Sequence, residues 1–241
     1  MPHSSRIRRT RRKDRGPAPA CAQNPPMQGS IDNKGETDPR TIAIGCFASL
    51  CRDRLADLLV TFSSACPDIN IGVHEMGYAE LLPAVAAERL ALAIGPGAGI
   101  SGFGGCDLWN DRAVVALPID HPLAAEPRVT VSMLEREVLL VSRDRARAAL
   151  HRFLVDRLFG GHGPASRIVA DARRCQMLDR VAAGEGIALL CESQVDAAMG
   201  HLATRAIHDD AAQFRIRAHW RERPDATLKA LVALLQASRE E

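Results

Sequence analysis

Polar and small residues follow several apolar runs of this sequence at points where a strand would end. Ser49 follows the run 41–46, and Ser142 and Arg143 follow the run 138–141. A serine at the start of a helix, together with the backbone N–H groups there, can donate hydrogen bonds to a carboxylate. An arginine guanidinium can bind the same group through two parallel hydrogen bonds. This chemistry predicts a binding site for a small organic anion, formed by Phe47, Ala48, Ser49, Gly95, Pro96, Ser142, Arg143 and Asp171.

Each of these residues also has an ordinary structural interpretation. Ser49 and Asp171 are typical helix caps, Gly95 with Pro96 is typical of a turn, and Arg143 is compatible with a solvated loop. No Ser–His–Asp arrangement, pair of carboxylates or metal-ligand spacing stands out, and the seven cysteines include no Cys-x-x-Cys pair. The sequence therefore predicts a binding protein that is not an enzyme and has no cofactor and no metal site.

The elements that position these residues alternate between strands and helices. The segment 41–95 has a strand–helix–strand–helix–strand pattern, and residues 138–191 repeat it. Such alternation predicts parallel sheets covered by helices, with ligands bound beyond the carboxyl ends of the strands. We therefore predict an α/β fold with two lobes, each a mostly parallel sheet flanked by helices. Lobe I comprises 41–118 and 208–241, and lobe II comprises 119–207.

A glycine-rich segment, 96–105, separates the third strand from the next apolar run. It lacks the Gly-Lys-Ser/Thr ending of a phosphate-binding loop, and it does not lie between a strand and a helix. We interpret it as a flexible connector that is followed by a strand over 108–117. A return strand over 214–220 and a closing helix complete the predicted elements.

The composition is that of a globular protein with a basic, low-complexity start. Of the 241 residues, 46% are hydrophobic and 25% are charged, which is ordinary for a soluble domain. Residues 1–15 carry seven basic residues and one acidic residue, and leaving them out changes the formal net charge from +2 to −4. We predict that 1–40 is a disordered basic tail and that the folded part is not a nucleic-acid-binding surface. No secretory signal or membrane span is visible, so we expect a cytoplasmic protein without a membrane partner.

Several motifs resemble the effector-binding domain of LysR-type transcriptional regulators. Thr41-Ile-Ala-Ile-Gly with Ser49 resembles the first strand and ligand turn of that family. The most specific match is Val114-Val-Ala-Leu-Pro-Ile-Asp-His-Pro-Leu-Ala, and Gly184-Glu-Gly-Ile-Ala-Leu-Leu-Cys-Glu-Ser resembles a third family motif. The motifs occur in the family's order across 41–238. The resemblance implies the type 2 periplasmic-binding-protein fold, with a ligand bound between the two lobes.

The resemblance also implies a link to transcriptional regulation. It implies a small-molecule effector, and either homo-oligomers or association with a LysR-type regulator. The family's amino-terminal winged helix-turn-helix has no counterpart in 1–40, so we expect a truncated regulator without specific DNA binding by this chain alone. One alternative is the solute-binding protein of a transporter, which the missing signal peptide disfavours. The other is an enzyme on the same fold, such as a dehydratase, which would need Thr-Arg-Phe where this sequence has Thr204-Arg205-Ala206.

Overall fold

The computed structural model describes residues 41–47, 52–142, 145–161, 166–170, 174–195 and 199–237. The strands are β1 (Thr41–Phe47), β2 (Asn70–Met76), β3 (Leu92–Pro96), β4 (Phe103–Pro118), β5 (Val138–Ser142), β6 (Ser166–Ala170), β7 (Ala188–Cys191), β8 (Leu202–Ala206) and β9 (Gln213–Arg221). The α-helices are α1 (Arg52–Ala65), α2 (Tyr78–Ala86), α3 (Val131–Leu134), α4 (Arg145–Phe159), α5 (Arg174–Ala182) and α6 (Ala226–Ala237). Short 3₁₀ helices lie at Pro122–Ala124, Glu192–Gln194 and Asp210–Ala212.

Strands that are joined through helices pair in parallel, as the alternation of elements predicts. β1 lies between β2 and β3 and is parallel to both, and β5 is parallel to β6. The return strand β9 is antiparallel to both β3 and β4, since it enters the sheet from the opposite direction. The strand order is β2-β1-β3-β9-β4-β7, and β8 also pairs with β4. The predicted α/β architecture is thus confirmed, with antiparallel pairing of β9 with β3 and β4 and of β4 with β7 and β8.

The long strand β4 connects two parts of the structure because it changes partners along its length. Residues 103–112 pair with β9, whereas residues 113–118 pair with β7 and β8. β5 joins this second group through a parallel bridge between Leu139 and Ile187. We call β2, β1, β3, β9 and residues 103–112 the first sheet half. The second sheet half consists of β5, β6, β7, β8 and residues 113–118.

β4 begins at Phe103, inside the glycine-rich segment 96–105. The prediction that this whole segment is a connector is therefore wrong for residues 103–105. Close packing explains the two glycines in the strand. A Cβ at Gly104 would lie 2.4 Å from Trp220 Nε1, and a Cβ at Gly105 would lie 2.8 Å from the carbonyl oxygen of Ala218. Glycine in a strand often marks such a close approach of a neighbouring strand. Only the residues between β3 and β4 form the connecting loop.

Helices cover both sheet halves and enclose an aliphatic core. α2 packs on β1, β3 and β9, while α5 packs on β4, β5, β7 and β8. α4 contacts strands of both halves, β2 from the first and β5 and β7 from the second. Buried side chains of both halves and of α4, including Ile44, Leu92, Leu117 and Leu154, belong to one continuous hydrophobic cluster, while α5 packs in a second cluster within the second half. Burial of each such side chain contributes roughly 1.5–3 kcal/mol, so α4 holds the two halves together by ordinary core packing.

Candidate functional site

The ends of β1 and β3 meet in the first sheet half. A Cβ at Gly95 would lie 3.3 Å from the Phe47 Cβ and 3.2 Å from Leu81 Cδ1. Such distances are shorter than most contacts that a real Cβ makes. Because Gly95 has no side chain, Phe47 and Leu81 can both pack against its backbone. Pro96 and Phe47 are both buried. Of the predicted site residues, the structure thus brings Phe47, Gly95 and Pro96 into one place.

Tyr78, the first residue of α2, covers these strand ends. The start of α2 is fixed by a hydrogen bond from the Gly77 N–H to Glu80 Oε2, at 3.1 Å. The Tyr78 ring makes an edge contact with the Phe47 ring, with centroids 5.8 Å apart and planes at 72°. A Cβ at Gly97 would lie 2.8 Å from the Tyr78 hydroxyl oxygen, so the hydroxyl lies close over this glycine. The Tyr78 side chain is nevertheless 39% exposed, and its outer face is open to solvent.

A series of aromatic rings continues from this point to α4. Phe153 of α4 makes edge contacts with Phe47 at 5.8 Å and with Phe214 of β9 at 5.2 Å. Such T-shaped pairs contribute about 0.5–1.5 kcal/mol each beyond their buried area. Arg157, one turn further along α4, lies with its Cζ 5.9 Å from the Phe214 ring centroid and donates to the Gln213 carbonyl oxygen. These contacts hold α4 against the last residue of β1 and against the start of β9.

An open groove of about 870 Å³ lies between the start of α2 and the middle of α4. Its lining residues come from these two helices: Gly77, Tyr78, Ala79 and Glu80 from α2, and Ala148, Ala149, Arg152, Phe153, Asp156 and Arg157 from α4. Glu80 is engaged by the Gly77 N–H, and Arg157 is engaged by Gln213. Arg152 is exposed in the groove. The groove therefore offers aromatic walls, a helix start and an exposed guanidinium, which together suit a small organic acid.

Ser142 lies away from this group of residues, at the end of β5. Its side chain is buried, and its backbone N–H donates to His151 Nδ1 of α4 at 3.3 Å. His151 is also buried. Ser142 is thus linked to the same helix that lines the groove, but it is not one of the lining residues. The other predicted site residues, Ala48, Ser49, Arg143 and Asp171, lie outside the described residues.

A polar cluster lies beneath the strand ends, on β9 and β4. Arg217 and Arg215 donate to the two carboxylate oxygens of Asp107. His219 is buried, its Nδ1 has no hydrogen-bond partner in the described structure, and its ring lines a small cavity next to Tyr78 and Pro96. Burial lowers the pKa of the His219 imidazole, Arg217 lowers it further, and Asp107 partly offsets these effects. His219 is therefore held in its neutral form near neutral pH.

The lowered pKa of His219 makes the stability of the protein depend on pH. The unfolded chain has an ordinary histidine pKa of about 6.5, so below that pH the unfolded state binds more protons than the folded state. The free energy of unfolding should therefore fall as the pH drops from about 6.5 through the folded pKa of His219. In thermal melts at a series of pH values, His219→Gln should lose this part of the pH dependence. His208→Gln, at an exposed position, is the matched control and should keep it. Identical pH profiles for wild type and His219→Gln would contradict the assignment.

The described part of the chain lacks a metal-binding cluster and a membrane-spanning helix. Among those residues, no group of three or more His, Cys, Asp or Glu side chains is placed to hold a metal ion. In the same ranges, none of the helices has the length and apolar character needed to cross a membrane.

Comparisons with known proteins give consistent results. The family model described as the LysR substrate binding domain matches residues 35–240. The HTH-type transcriptional regulator TtuA of Agrobacterium vitis is 32% identical over 153 residues, which are 62% of this chain and 50% of that protein. The chain thus spans about half the length of this curated relative.

Solved structures share the fold at low sequence identity. The BenM effector-binding domain with its effector benzoate has a TM-score of 0.65 and 23% identity, and the match covers 82% of this chain and 90% of that one. The reduced form of the OxyR regulatory domain from Pseudomonas aeruginosa has a TM-score of 0.66 and 17% identity, covering 83% of this chain and 98% of that one. These likenesses confirm the predicted two-lobed, periplasmic-binding-protein-like fold.

Proposed function

Because the chain belongs to the LysR substrate-binding domain family, we propose that it binds a small organic anion as an effector in the groove between α2 and α4. The observation that carries this proposal is the groove itself. At about 870 Å³ it is large enough for a small-molecule ligand, and it lies between α2, which packs on the first sheet half, and α4, which contacts both halves. A ligand held by both helices would favour one relative position of the halves, which is how such domains change state.

The preference for an anion rests on the cations at and near the groove. Arg152 lines it, and a guanidinium can bind a carboxylate with two hydrogen bonds. Ser49 and Arg143 remain candidates through their positions in the sequence, two residues after β1 and one residue after β5. The start of α2 adds a partial positive charge on the opposite side of the groove. Tyr78 and Phe153 provide ring surfaces for an aromatic or aliphatic body.

The link to regulation follows from the family and from the curated relative. We propose that the domain acts in the cytoplasm, without catalytic activity, and that ligand binding is transmitted through homo-oligomers or through association with a LysR-type regulator. Lobes formed by 41–118 with 208–241, and by 119–207, would be the moving parts. Because the chain spans about half of the related regulator, DNA recognition would depend on a separate region or partner, with no specific DNA binding by residues 41–241 alone.

Titration calorimetry with a panel of carboxylates tests the binding proposal. Benzoate is the first probe, since it is the effector in the BenM structure. Arg143→Ala and Arg152→Ala should each weaken the binding of the best ligand by roughly 1.5–3 kcal/mol, the scale of a hydrogen bond to a charged group. Ser49→Ala should weaken it by only about 1 kcal/mol, because backbone N–H groups at the helix start remain available.

Arg128→Ala is the matched control for these substitutions, because Arg128 is an exposed arginine that does not line the groove. Its affinity should equal that of wild type. Unchanged affinity in both Arg143→Ala and Arg152→Ala, with the fold intact by circular dichroism, would remove these residues from the site. Binding of neutral or cationic compounds alone would overturn the preference for an anion.

A further inference from the structure

Two cavities meet at Tyr78. One is the open groove described above, and the other is a small space of about 10 Å³ on the inner side of α2. The small space is lined by Tyr78, Leu81, Leu82, Ala93, Gly95, Pro96 and His219. Its volume is enough for about one water molecule and excludes any organic ligand. Among the lining residues, Tyr78 is shared by both cavities.

Tyr78 borders both spaces and makes contacts with the strand ends. The inner edge of the ring contacts Phe47, and its Cδ2 would lie 3.6 Å from a Cβ at Gly95. Its outer face borders the groove, where the side chain is 39% exposed. Since a tyrosine side chain occupies discrete rotamers, a rotation towards solvent would uncover the strand ends without moving the sheet.

We propose that Tyr78 is the specificity-determining gate of the effector site, because it lines both the groove and an inner chamber next to the end of β3. This inference rests on the proposed function of the groove. Small acids would bind with the ring in place. Longer acids would displace the ring and extend towards Leu82 and His219.

The walls of the inner chamber define which ligand end it accepts. Leu81, Leu82, Ala93 and Pro96 present apolar surface, and His219 and Tyr78 are the polar side chains among the lining residues. His219 is neutral near pH 7 for the reasons given above. The carboxylate of the ligand would stay in the groove near Arg152, while an uncharged apolar or hydroxylated end would point inwards. The ligand class is thus an aromatic or aliphatic monocarboxylic acid with an uncharged tail.

A series of benzoates with increasing tail length tests the gate by calorimetry. Benzoate should bind Tyr78→Ala more weakly than wild type, because the variant loses one ring surface of the groove. The gain in affinity from benzoate to 4-butylbenzoate should nevertheless be at least about tenfold larger in Tyr78→Ala than in wild type, since each buried methylene adds favourable transfer energy. Tyr78→Phe retains the ring and should behave as wild type. The same dependence on tail length in wild type and Tyr78→Ala would overturn the gate and leave the proposed function intact.

A neutral probe tests the gate independently of acid binding. Toluene should raise the melting temperature of Tyr78→Ala and leave those of wild type and Tyr78→Phe unchanged, because removal of the ring opens an apolar space. If no carboxylate binds wild type but toluene still distinguishes Tyr78→Ala, the proposed function fails and with it the role of Tyr78 in effector specificity, while the apolar space on the inner side of α2 is supported. If toluene has the same effect on all three proteins, the gate is overturned.

If Tyr78→Ala does not fold, the movement of the Tyr78 ring can still be measured by ¹⁹F NMR in the protein without a substitution. Tyr78 is the sole tyrosine of the sequence, so incorporation of 3-fluorotyrosine gives one ¹⁹F resonance that reports on this ring. Saturating 4-butylbenzoate should shift that resonance by more than saturating benzoate does. Equal shifts from the two acids, or no shift, would contradict displacement of the ring.

Discussion

Replacement of Gly186 by alanine should lower the free energy of unfolding by about 3 kcal/mol or more, because a new Cβ there meets backbone rather than a movable side chain. The added atom would lie 2.4 Å from the carbonyl oxygen of Val138. That oxygen accepts a hydrogen bond from the Ile187 N–H at 2.8 Å, and the Ile187 carbonyl oxygen accepts one from Leu140 at 2.9 Å. The two segments therefore cannot separate without breaking the bridge that joins β5 to the start of β7.

Gly184→Ala is the matched control, two residues earlier in the same turn. Gly184 has a φ of 78°, and a Cβ there would meet nothing within 4 Å. It should therefore lose only about 1 kcal/mol, the cost of a left-handed conformation for a residue with a side chain. Urea denaturation of both variants measures the difference. Equal losses for Gly184→Ala and Gly186→Ala would show that backbone conformation, and not close approach to Val138, sets the requirement for glycine.

The fold could be predicted from the sequence where hydrophobic periodicity is strong and local. The alternation over 41–95 predicted the parallel pairing of β1 with β2 and β3. The start of β4 was not predictable in the same way. Gly104 has a low strand propensity, and only the packing of Trp220 from a strand more than a hundred residues later explains its place. Such long-range packing leaves no signal in a local sequence window.

The predicted site residues stay a prediction, and none of the four that the structure describes, Phe47, Gly95, Pro96 and Ser142, lines the groove between α2 and α4. Gly95 and Pro96 were identified from strand ends, and the structure places them with Phe47 beneath one aromatic ring. That ring belongs to Tyr78, which the sequence analysis missed. Its position after Gly77, at the start of a predicted helix facing the same strand ends, was a usable signal. The contribution of α4 was not predictable, because the residues that line the groove are set by how the two sheet halves pack.

Replacement of Asp111 by alanine is expected to lower the free energy of unfolding by roughly 3 kcal/mol, because it removes a buried acceptor that serves several donors. Asp111 is 5% exposed and lies one residue before the point where β4 exchanges β9 for β7 and β8. Its Oδ1 accepts the N–H of Arg112 at 2.8 Å and that of Ser193 at 3.3 Å, and its Oδ2 accepts the Ser193 hydroxyl at 2.6 Å. An alanine would leave these donors without their carboxylate.

The Asp111 carboxylate should contribute more to the free energy of unfolding than the neighbouring ion pair between Arg112 and Glu192. Arg112 and Glu192 form a 3.0 Å ion pair beside it, but both side chains are about half exposed, and such pairs contribute about 0–1 kcal/mol. Cys191, the last residue of β7, is buried. Burial raises the pKa of its thiol and the Asp111 charge raises it further. The thiol therefore stays protonated, and Asp111 faces no competing anion there.

A double-mutant cycle isolates the contact between Asp111 and Ser193. Ser193→Ala should cost about 1 kcal/mol, and Asp111→Asn should cost less than Asp111→Ala because the amide keeps one acceptor oxygen. The coupling energy between Asp111→Ala and Ser193→Ala in urea unfolding should reach about 1 kcal/mol or more, as for residues in one hydrogen-bond network. A coupling below about 0.3 kcal/mol, the range expected for independent sites, would show that Asp111 acts only within β4. Asp111 does not line the groove, so its replacement should leave the affinity for carboxylates unchanged. That result, together with a coupling energy of the expected size, would show that the contact stabilises the region where β4 changes partners and is not part of the binding site.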